Sequence, residues 1–416
     1  MDRVILSINA GSSSVKVSIF SAKPGHPPRE LAEIQLDGLT APPVQLKYSR
    51  GSQTICKNKK IDQEIKSQEE AFQFILNELV EDKELTAISK KGDIALACHR
   101  VVHGGDYSEA KFINEQTYHY LEHLADLAPL HNAPSLAIVK FCLKDLAETR
   151  NIAVFDSQFH QTIPVQARTY AINQEIAKKN MLRKYGFHGI SYSFITRSVA
   201  EFLGKEESQT NLLILHLGSG ASACAVRNGK SLDTSMGLTP LAGLPGATRS
   251  GNVDPSLVFH YATNVGKLSP SSTESLHISR AEEILNKESG WKSIAGTTNF
   301  GIIASSDDPK CKLAFDIFVN RITHYIGGYY VALKGQVDAL VFAGGIGEKS
   351  AILRRRVTDD VACLGFEIDQ DLNELDIKHT VQNIGKEGAK SRTLVCMTDE
   401  QFEMARVCSM DESFFG

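Results

Sequence analysis

The sequence predicts an α/β protein whose two halves repeat one arrangement of strands and helices. Two apolar segments, residues 5–10 and 212–217, each run into a tight turn rich in glycine and serine. After each turn apolar residues alternate, from Val15 in one copy and from Ala221 in the other, which is typical of the second strand of a hairpin. We therefore expect one hairpin in each half, followed by helices and a further strand.

Hydrophobic periodicity predicts the other elements of the first half. In chain order these are β-like segments within 34–57, a helix at 68–80, a buried strand at 93–98, two helices within 116–149 that are separated at 128–132, and a strand at 151–155. The last strand ends at Asp156, which we take as the point where the halves join.

The second half repeats this order. A long helix is predicted at 314–333, and a strand at 338–342 runs into three glycines, Gly344, Gly345 and Gly347. We expect two domains, 1–156 and 157–399, with a C-terminal helix at about 400–416 packing back on the first.

The two Gly/Ser turns have the composition of phosphate-binding turns. Glycine allows backbone N–H groups to converge on an anion, and the nearby serine hydroxyls and Lys16 add donors. Residues 218–223 also fit the G-x-G-x-x-A pattern of a dinucleotide fold, but such a turn must open a helix. Here the chain alternates as far as Asn228 and Gly229, a strong hairpin signal, so we predict strands.

Composition excludes several classes of function. The chain has 416 residues and a formal net charge of −4, which gives no electrostatic reason to expect nucleic acid as a partner. The apolar segment after Met1 is too short for a signal peptide or a membrane span, so we expect a cytoplasmic protein without membrane contacts. Eight cysteines without a C-x-x-C pair predict reduced, mostly buried thiols, and short basic runs such as 354–356 predict solvated faces.

Four polar residues beside strand ends or glycines have the chemistry that phosphoryl transfer needs. The reaction requires cations for the phosphate oxygens and a carboxylate for a metal ion, and little covalent chemistry from the protein. The candidates are Arg100, Asp156, His188 and Arg249. Each has a plainer explanation, namely a surface ion pair for an arginine, a helix cap for Asp156 and a turn histidine for His188. Their occurrence together beside two phosphate-type turns favours a functional site.

Five separated motifs resemble the acetate kinase family, in order and across nearly the whole chain. They lie at 8–14 (INAGSSS), 99–105 (HRVVHGG), 155–160 (FDSQFH), 185–189 (YGFHG) and 237–241 (GLTPL). The resemblance implies the duplicated ribonuclease-H-like fold shared with sugar kinases, actin and heat-shock chaperone ATPases. It also implies a homodimer and reversible transfer of phosphate between acetyl phosphate and ADP, with Mg²⁺ or Mn²⁺.

The resemblance further assigns roles residue by residue. Arg100 and Arg249 would bind the carboxylate and the phosphoryl group, and His188 would hydrogen-bond that group. Asp156, like Glu400, would position the metal ion or its waters and orient the substrate. Asn9 and Glu400 would hold the metal ion or its waters. The substrate methyl group would contact Val102, Leu130, Phe187 and Pro240. The phosphate and nucleotide groups would contact Asn9, Ser12, Ser14, Lys16, His131, His216, Gly218, Ser219, Gly220, Asn299, Gly344, Gly345 and Gly347.

The departures from the family pattern fall on the nucleotide side. Ser219 and Lys349 stand where the family has asparagine, and Ala247 stands where it has glycine. The family's Asp-Phe-Arg is Asn-Phe-Gly at 299–301, which removes a guanidinium that could stack on a base. Pyrophosphate in place of ATP therefore stays open, as do propionate or butyrate as substrates. Outside the family, a sugar or polyol kinase and a non-catalytic actin-like protein are the alternatives.

Overall fold

The structure is a computed structural model that describes residues 2–125, 129–261, 268–269, 272 and 278–416. It divides into two compact units. The first unit consists of Met1–Gln158 and Asp399–Gly416, and the second is Phe159–Thr398. Each unit is described below by itself.

The strands divide between the units, with β1–β8 in the first and β9–β14 in the second. They are β1 (Arg3–Ala10), β2 (Ser14–Ala22), β3 (Arg29–Asp37), β4 (Gln45–Arg50), β5 (Gln53–Lys60), β6 (Ile94–Val101), β7 (Lys111–Phe112), β8 (Arg150–Phe155), β9 (Leu212–Leu217), β10 (Ala221–Arg227), β11 (Lys230–Thr234), β12 (Ala339–Ala343), β13 (Val381–Asn383) and β14 (Arg392–Cys396).

Helices α1–α3 and α15 lie in the first unit, and α4–α14 lie in the second. They are α1 (Gln68–Glu81), α2 (Glu115–Ala125), α3 (Pro129–Asp145), α4 (Val165–Arg168), α5 (Gln174–Lys179), α6 (Gly189–Leu203), α7 (Leu257–Tyr261), α8 (Arg280–Lys287), α9 (Gly290–Ala295), α10 (Phe300–Ser305), α11 (Pro309–Ala332), α12 (Gly344–Lys349), α13 (Ala351–Asp360), α14 (Gln370–Glu374) and α15 (Glu400–Met410). No helix in the described ranges is long and apolar enough to cross a membrane.

The first unit is a mixed sheet in the order β5-β4-β3-β2-β1-β6-β8-β7. Strands β1, β6 and β8 are parallel, so their carboxyl ends meet at one edge. Because successive residues of a strand face opposite sides, β1 divides its side chains between two layers. Val4, Leu6 and Ile8 join the core that includes residues of α1 and α3, whereas Ser7 faces α15.

The second unit repeats this topology in the order β11-β10-β9-β12-β14-β13. Strands β9, β12 and β14 are parallel, as β1, β6 and β8 are in the first unit, and β10 and β11 extend the sheet as antiparallel strands. On β9, Leu213, Leu215 and Leu217 join the core that includes α11. The alternate residues face the other side, where β9 contacts α6.

The predicted α/β class with mixed sheets, helices and a duplicated arrangement is confirmed. Both predicted hairpins are present, as β1–β2 and β9–β10. The turn that joins β10 to β11 has positive φ at Asn228 (52°) and Gly229 (72°), as a tight hairpin turn requires. Most of the eight thiols are buried, and all are free.

Two predictions from the sequence are wrong. Residues 129–132 were expected to separate two helices, but they form the first turn of α3. Proline is well tolerated at the first helical position, because the N–H that it lacks would be unsatisfied there in any case; residue 128 lies outside the described residues. The run 354–356 is not solvated throughout, because Arg355 and Arg356 are exposed but the guanidinium of Arg354 is buried. It donates to the carbonyl oxygens of Gly347 and Glu348 at 3.0 and 2.7 Å.

Candidate active site

The parallel strands of the first unit bring three predicted residues together. Asn9 lies near the end of β1 and Arg100 near the end of β6, while Asp156 follows β8 directly. In sheets of this kind, ligand sites form outside the carboxyl ends of the strands. The sheet thus explains how residues more than fifty positions apart in sequence become neighbours.

Arg100 is the centre of this group. Its Nε and Nη2 atoms donate to the two carboxylate oxygens of Asp156 at 3.1 and 2.8 Å, in the bidentate geometry that suits a guanidinium. Nη1 donates to Asn9 Oδ1 at 3.3 Å and lies 3.1 Å from Glu400 Oε2. Burial by itself would lower the pKa of Arg100, but the charges of Asp156 and Glu400 outweigh it and raise the pKa above its usual value. Arg100 is therefore a fixed cation.

The segment that enters α15 is held to β1 by reciprocal hydrogen bonds. Ser7 Oγ donates to the carbonyl of Gln401 at 2.7 Å, and Gln401 Nε2 donates to the carbonyl of Ser7 at 2.8 Å. Asp399 caps the helix by accepting from the N–H of Phe402. These contacts position Glu400, the first residue of α15, beside Arg100.

The loop after β6 is held by α3. Asn132 accepts from the N–H of His103 at 2.9 Å and donates to its carbonyl at 3.1 Å, and Ser135 Oγ donates to the carbonyl of Arg100. Asn132 and Ser135 are not among the residues predicted from the sequence, although polar residues inside an apolar helix could have indicated them. Val102, at the start of this loop, is half-buried. The side chains of Leu130 and His131 lie outside the described residues.

The first Gly/Ser turn joins β1 to β2. Ser12 is exposed and Ser14 is half-buried, and the N–H of Gly11 donates to the carbonyl of Ser14 at 2.8 Å. Lys16 stands directly across the hairpin from Asn9, and its ammonium forms an ion pair with Glu33 at 2.8 Å.

The second turn, residues 218–220, lies against Arg249. The N–H of Gly218 donates to the carbonyl of Gly220, and the carbonyl of Ser219 accepts from the N–H of Ala247 at 2.8 Å. A Cβ atom on Gly220 would lie only 2.7 Å from Arg249 Nη1. Glycine at this position therefore leaves room for the guanidinium.

His188 lies in the same unit as this turn. It precedes α6 with a left-handed φ of 61°, and its ring lies 4.3 Å from the ring of His216 on β9. Its Nδ1 atom is 2.8 Å from Ser222 Oγ on β10. The neighbouring Phe187 is buried, and its carbonyl accepts a hydrogen bond from Nε2 of His160.

The glycines after β12 approach the end of β9. Gly344 has a φ of 73°, and a Cβ there would lie 2.8 Å from the carbonyl oxygen of Leu217. Gly345 is exposed and has open space around it, while Gly347 packs against Phe342. The segment that contains the predicted glycines therefore begins beside the second turn.

Two further predicted residues lie on other segments of the second unit. Asn299 caps α10 by accepting from the N–H groups of Gly301 and Ile302. Pro240 is buried in the loop that follows β11.

Comparisons with known proteins identify the family of the chain. The profile of the acetokinase family matches residues 4–406. A probable acetate kinase of Neurospora crassa is 58% identical over the whole of this chain and 95% of its own length. Two crystal structures match 97% of this chain and 98% of their own: acetate kinase of Porphyromonas gingivalis, with 31% identity and a TM-score of 0.80, and a propionate kinase of Francisella tularensis, with 33% identity and a TM-score of 0.83. The chain belongs to the acetokinase family.

Proposed function

We propose that the chain is a phosphotransferase that moves a phosphoryl group between acetyl phosphate and ADP, so that acetate and ATP give acetyl phosphate and ADP. The observation that best supports this proposal is that Arg100, in a member of this family, is held in one orientation by two hydrogen bonds to Asp156. A permanent cation at a strand end, oriented by a buried carboxylate, is suited to bind an acid or its phosphate ester. The transfer is direct, without a phosphoenzyme.

The first unit supplies oxygen ligands that suit a divalent cation. Mg²⁺ prefers carboxylate and amide oxygens and keeps several of its waters. Asn9 Oδ1 and carboxylate oxygens of Asp156 and Glu400 all lie within hydrogen-bonding or ion-pair distance of one guanidinium, so they are near one another. We assign Asn9 and Glu400 to Mg²⁺ or its waters, with Mn²⁺ as a substitute, and Asp156 to the orientation of Arg100 and substrate. The bound metal would neutralise charge on the phosphate oxygens.

The second unit supplies donors for phosphate oxygens. Arg249 contributes a full positive charge and His188 a hydrogen bond to the phosphoryl group. The nucleotide or its phosphates would contact His216, Asn299 and the glycine segments at 218–220 and 344–347. In the first unit, Ser12, Ser14 and Lys16 would also contact phosphate. His131 shares this proposed role.

The acid is proposed to be acetate, because the family assignment gives the methyl group to Val102, Leu130, Phe187 and Pro240. One extra methylene changes binding to an apolar pocket by only about 1–3 kcal/mol. Propionate should therefore be a poorer but measurable substrate. We also propose that the protein is a cytoplasmic homodimer. Within each chain, the two ribonuclease-H-like domains correspond to the two units.

The test of this function is hydroxamate formation from acetate, ATP and hydroxylamine. Removing Arg249 takes away a charge that is needed in the transition state, so Arg249→Ala should lower kcat by about 100- to 1,000-fold with unchanged circular dichroism. Arg355→Ala is the matched control, because Arg355 is an exposed arginine paired with Asp359. Near-normal turnover of Arg249→Ala would contradict the assignment.

The phosphoryl acceptor is tested by offering ADP, GDP and inorganic phosphate to acetyl phosphate in parallel. We expect ADP to give the highest kcat/KM. Efficient formation of pyrophosphate would instead assign the chain to the pyrophosphate-dependent reaction that the departures at Ser219 and at 299–301 left open. Polyol phosphorylation without acetate phosphorylation would favour a sugar or polyol kinase.

A further inference from the structure

His188 is the end of a chain of hydroxyl groups inside the second unit. Ser222 Oγ lies 2.8 Å from His188 Nδ1 and 2.5 Å from the hydroxyl oxygen of Tyr192. Tyr192 stands one helical turn after His188 on α6, and Ser222 is the residue of β10 that pairs with His216 of β9. The side chains of His188, Tyr192 and Ser222 therefore meet between α6 and the sheet, on the face opposite the core that includes α11.

Burial determines the direction of these hydrogen bonds. Tyr192 and Ser222 have no exposed surface, and a buried hydroxyl hydrogen needs an acceptor. Within the described residues, Ser222 Oγ is the one acceptor that the Tyr192 hydroxyl contacts, so Tyr192 must donate to Ser222. The hydrogen of Ser222 is then left to donate to His188 Nδ1.

A ring nitrogen that accepts a hydrogen bond carries no proton. His188 is thus a neutral imidazole with its proton on Nε2. The opposite arrangement, with a proton on Nδ1, would make Ser222 an acceptor from His188. The Ser222 oxygen could still accept from Tyr192, but the Ser222 hydrogen would then have no acceptor among the contacts of the described residues.

We propose that Tyr192 and Ser222 are positioning residues for phosphoryl transfer, because they hold His188 as the Nε2–H tautomer and direct that N–H as a neutral donor. This inference rests on the proposed function. It divides the roles within the unit: Arg249 supplies charge, and His188 supplies a directed hydrogen bond without charge. The close ring of His216 fits this division, because a cation at His188 would lie beside a second imidazole.

The first test is spectroscopic and needs no substrate. Long-range ¹⁵N–¹H correlation spectra of histidine-labelled protein distinguish the two neutral tautomers and the imidazolium, and His188→Gln identifies the signal. We expect the Nε2–H tautomer in the unmodified protein at pH 7, and a mixture of tautomers in Tyr192→Phe and in Ser222→Ala. Tyr329→Phe is the matched control, because Tyr329 is another buried tyrosine of this unit and its hydroxyl has no hydrogen-bond partner among the residues that the structure describes. It should leave the His188 signal unchanged.

The second test separates kcat from KM. Outer-shell partners of functional groups typically change activity by about 10- to 100-fold, so kcat for acetyl phosphate and ADP should fall by about that factor in Tyr192→Phe. Both KM values should change by less than about twofold, because ground-state binding is retained. Tyr329→Phe should match the unmodified protein.

The possible results are distinguishable. An Nδ1–H tautomer or an imidazolium in the unmodified protein overturns the positioning role, as does an unchanged His188 signal in Tyr192→Phe. Ser222→Ala decides the matter if Tyr192→Phe does not fold. Absence of acetyl phosphate turnover in the unmodified protein overturns the proposed function itself, and the positioning role with it, whatever the spectra show.

Discussion

At the scale of single residues, the geometry of the candidate site in the first unit depends on the shape of one guanidinium. The side chain of Arg100 has 18% of its surface exposed, and that of Asp156 has 1%. A buried carboxylate needs a partner that satisfies both oxygens, and a planar guanidinium does this with two parallel N–H donors. The carboxylate in turn holds the guanidinium in one orientation.

Substituting Arg100 by lysine should therefore be more damaging than charge alone suggests. An ammonium group cannot reproduce the fork, so we expect Arg100→Lys to reduce kcat by about 100-fold or more. Arg50→Lys is the matched control, because Arg50 also binds an aspartate but lies on β4. Its Nη1 atom donates to the two carboxylate oxygens of Asp82 at 2.7 and 2.6 Å. Steady-state kinetics of both variants provide the measurement. Equal activity of Arg100→Lys and the unmodified protein would show that only charge matters at position 100.

Two buried histidines should make the stability depend on pH. Burial lowers the pKa of His99 and of His160 to about 4, from an ordinary value of 6.5. His160 is neutral because its Nε2–H donates to the Phe187 carbonyl while Nδ1 accepts from Ser231. Between about pH 6.5 and pH 4 the unfolded chain binds protons that the folded chain does not. The stabilisation is therefore complete above that window and is lost as the pH falls through it.

Urea unfolding between pH 7 and pH 4.5 measures this effect. Each histidine contributes about 3 kcal/mol at pH 7 relative to pH below 4. His160→Gln should reduce the pH slope of the unfolding free energy by about one proton, and His26→Gln, at an exposed histidine, is the control. An identical slope in His160→Gln would mean that His160 takes up its proton over the same pH range in the folded and the unfolded protein.

At the scale of elements, the glycines after β12 differ in what they must do. Gly344 combines a left-handed φ with backbone atoms of Leu217 within 2.8–3.1 Å of a would-be Cβ. Gly345, one residue later, has no atom within 4 Å of its would-be Cβ. The first glycine is thus required by close packing of β9 against the start of α12, and the second is not.

The pair provides an internal comparison. Gly344→Ala should lower the free energy of unfolding by about 2–4 kcal/mol, because it adds backbone strain and a collision. Gly345→Ala should be neutral or stabilising by up to about 1 kcal/mol, because alanine is favoured over glycine within a helix. Thermal denaturation compares the two. Similar losses in both would show that the contact with Leu217 is not what requires glycine.

The elements also show what could be predicted from the sequence. Periodicity located both hairpins, and the strand-end position of Arg100 marked it as a candidate site residue, because these signals are local. Ser222 and Tyr192 gave no such signal, since a serine in a strand and a tyrosine in a helix acquire their meaning only when α6 packs on the sheet. The burial of Arg354 was missed for the same reason: the carbonyl oxygens that accept from it become neighbours only through the fold.

At the scale of the whole molecule, one unit is continuous in sequence and the other is not. The first unit needs α15, because Met404, Ala405 and Cys408 are fully buried and α15 packs on β1, β2 and β6. The second unit has its own core within 159–398. The two units should therefore respond differently to dissection.

Expressing the parts separately tests this difference. We expect residues 159–398 to fold alone, with cooperative thermal unfolding by circular dichroism. Residues 1–158 should aggregate, because the sheet face opposite α1 and α3 stays exposed to water. Joining 399–416 to residue 158 through a flexible linker should restore solubility, and a soluble, folded 1–158 fragment without it would contradict the assignment of α15 to this core.

The discontinuity of the first unit has a consequence for protein synthesis. Residues 1–158 emerge from the ribosome before α15 has been translated, so the nascent chain carries an uncovered apolar sheet while the second unit is made. At about 5–20 residues per second, that interval is on the order of ten seconds to a minute. Chaperones that shield hydrophobic surface therefore have a defined period in which to act on this chain. That period ends when α15 has been translated.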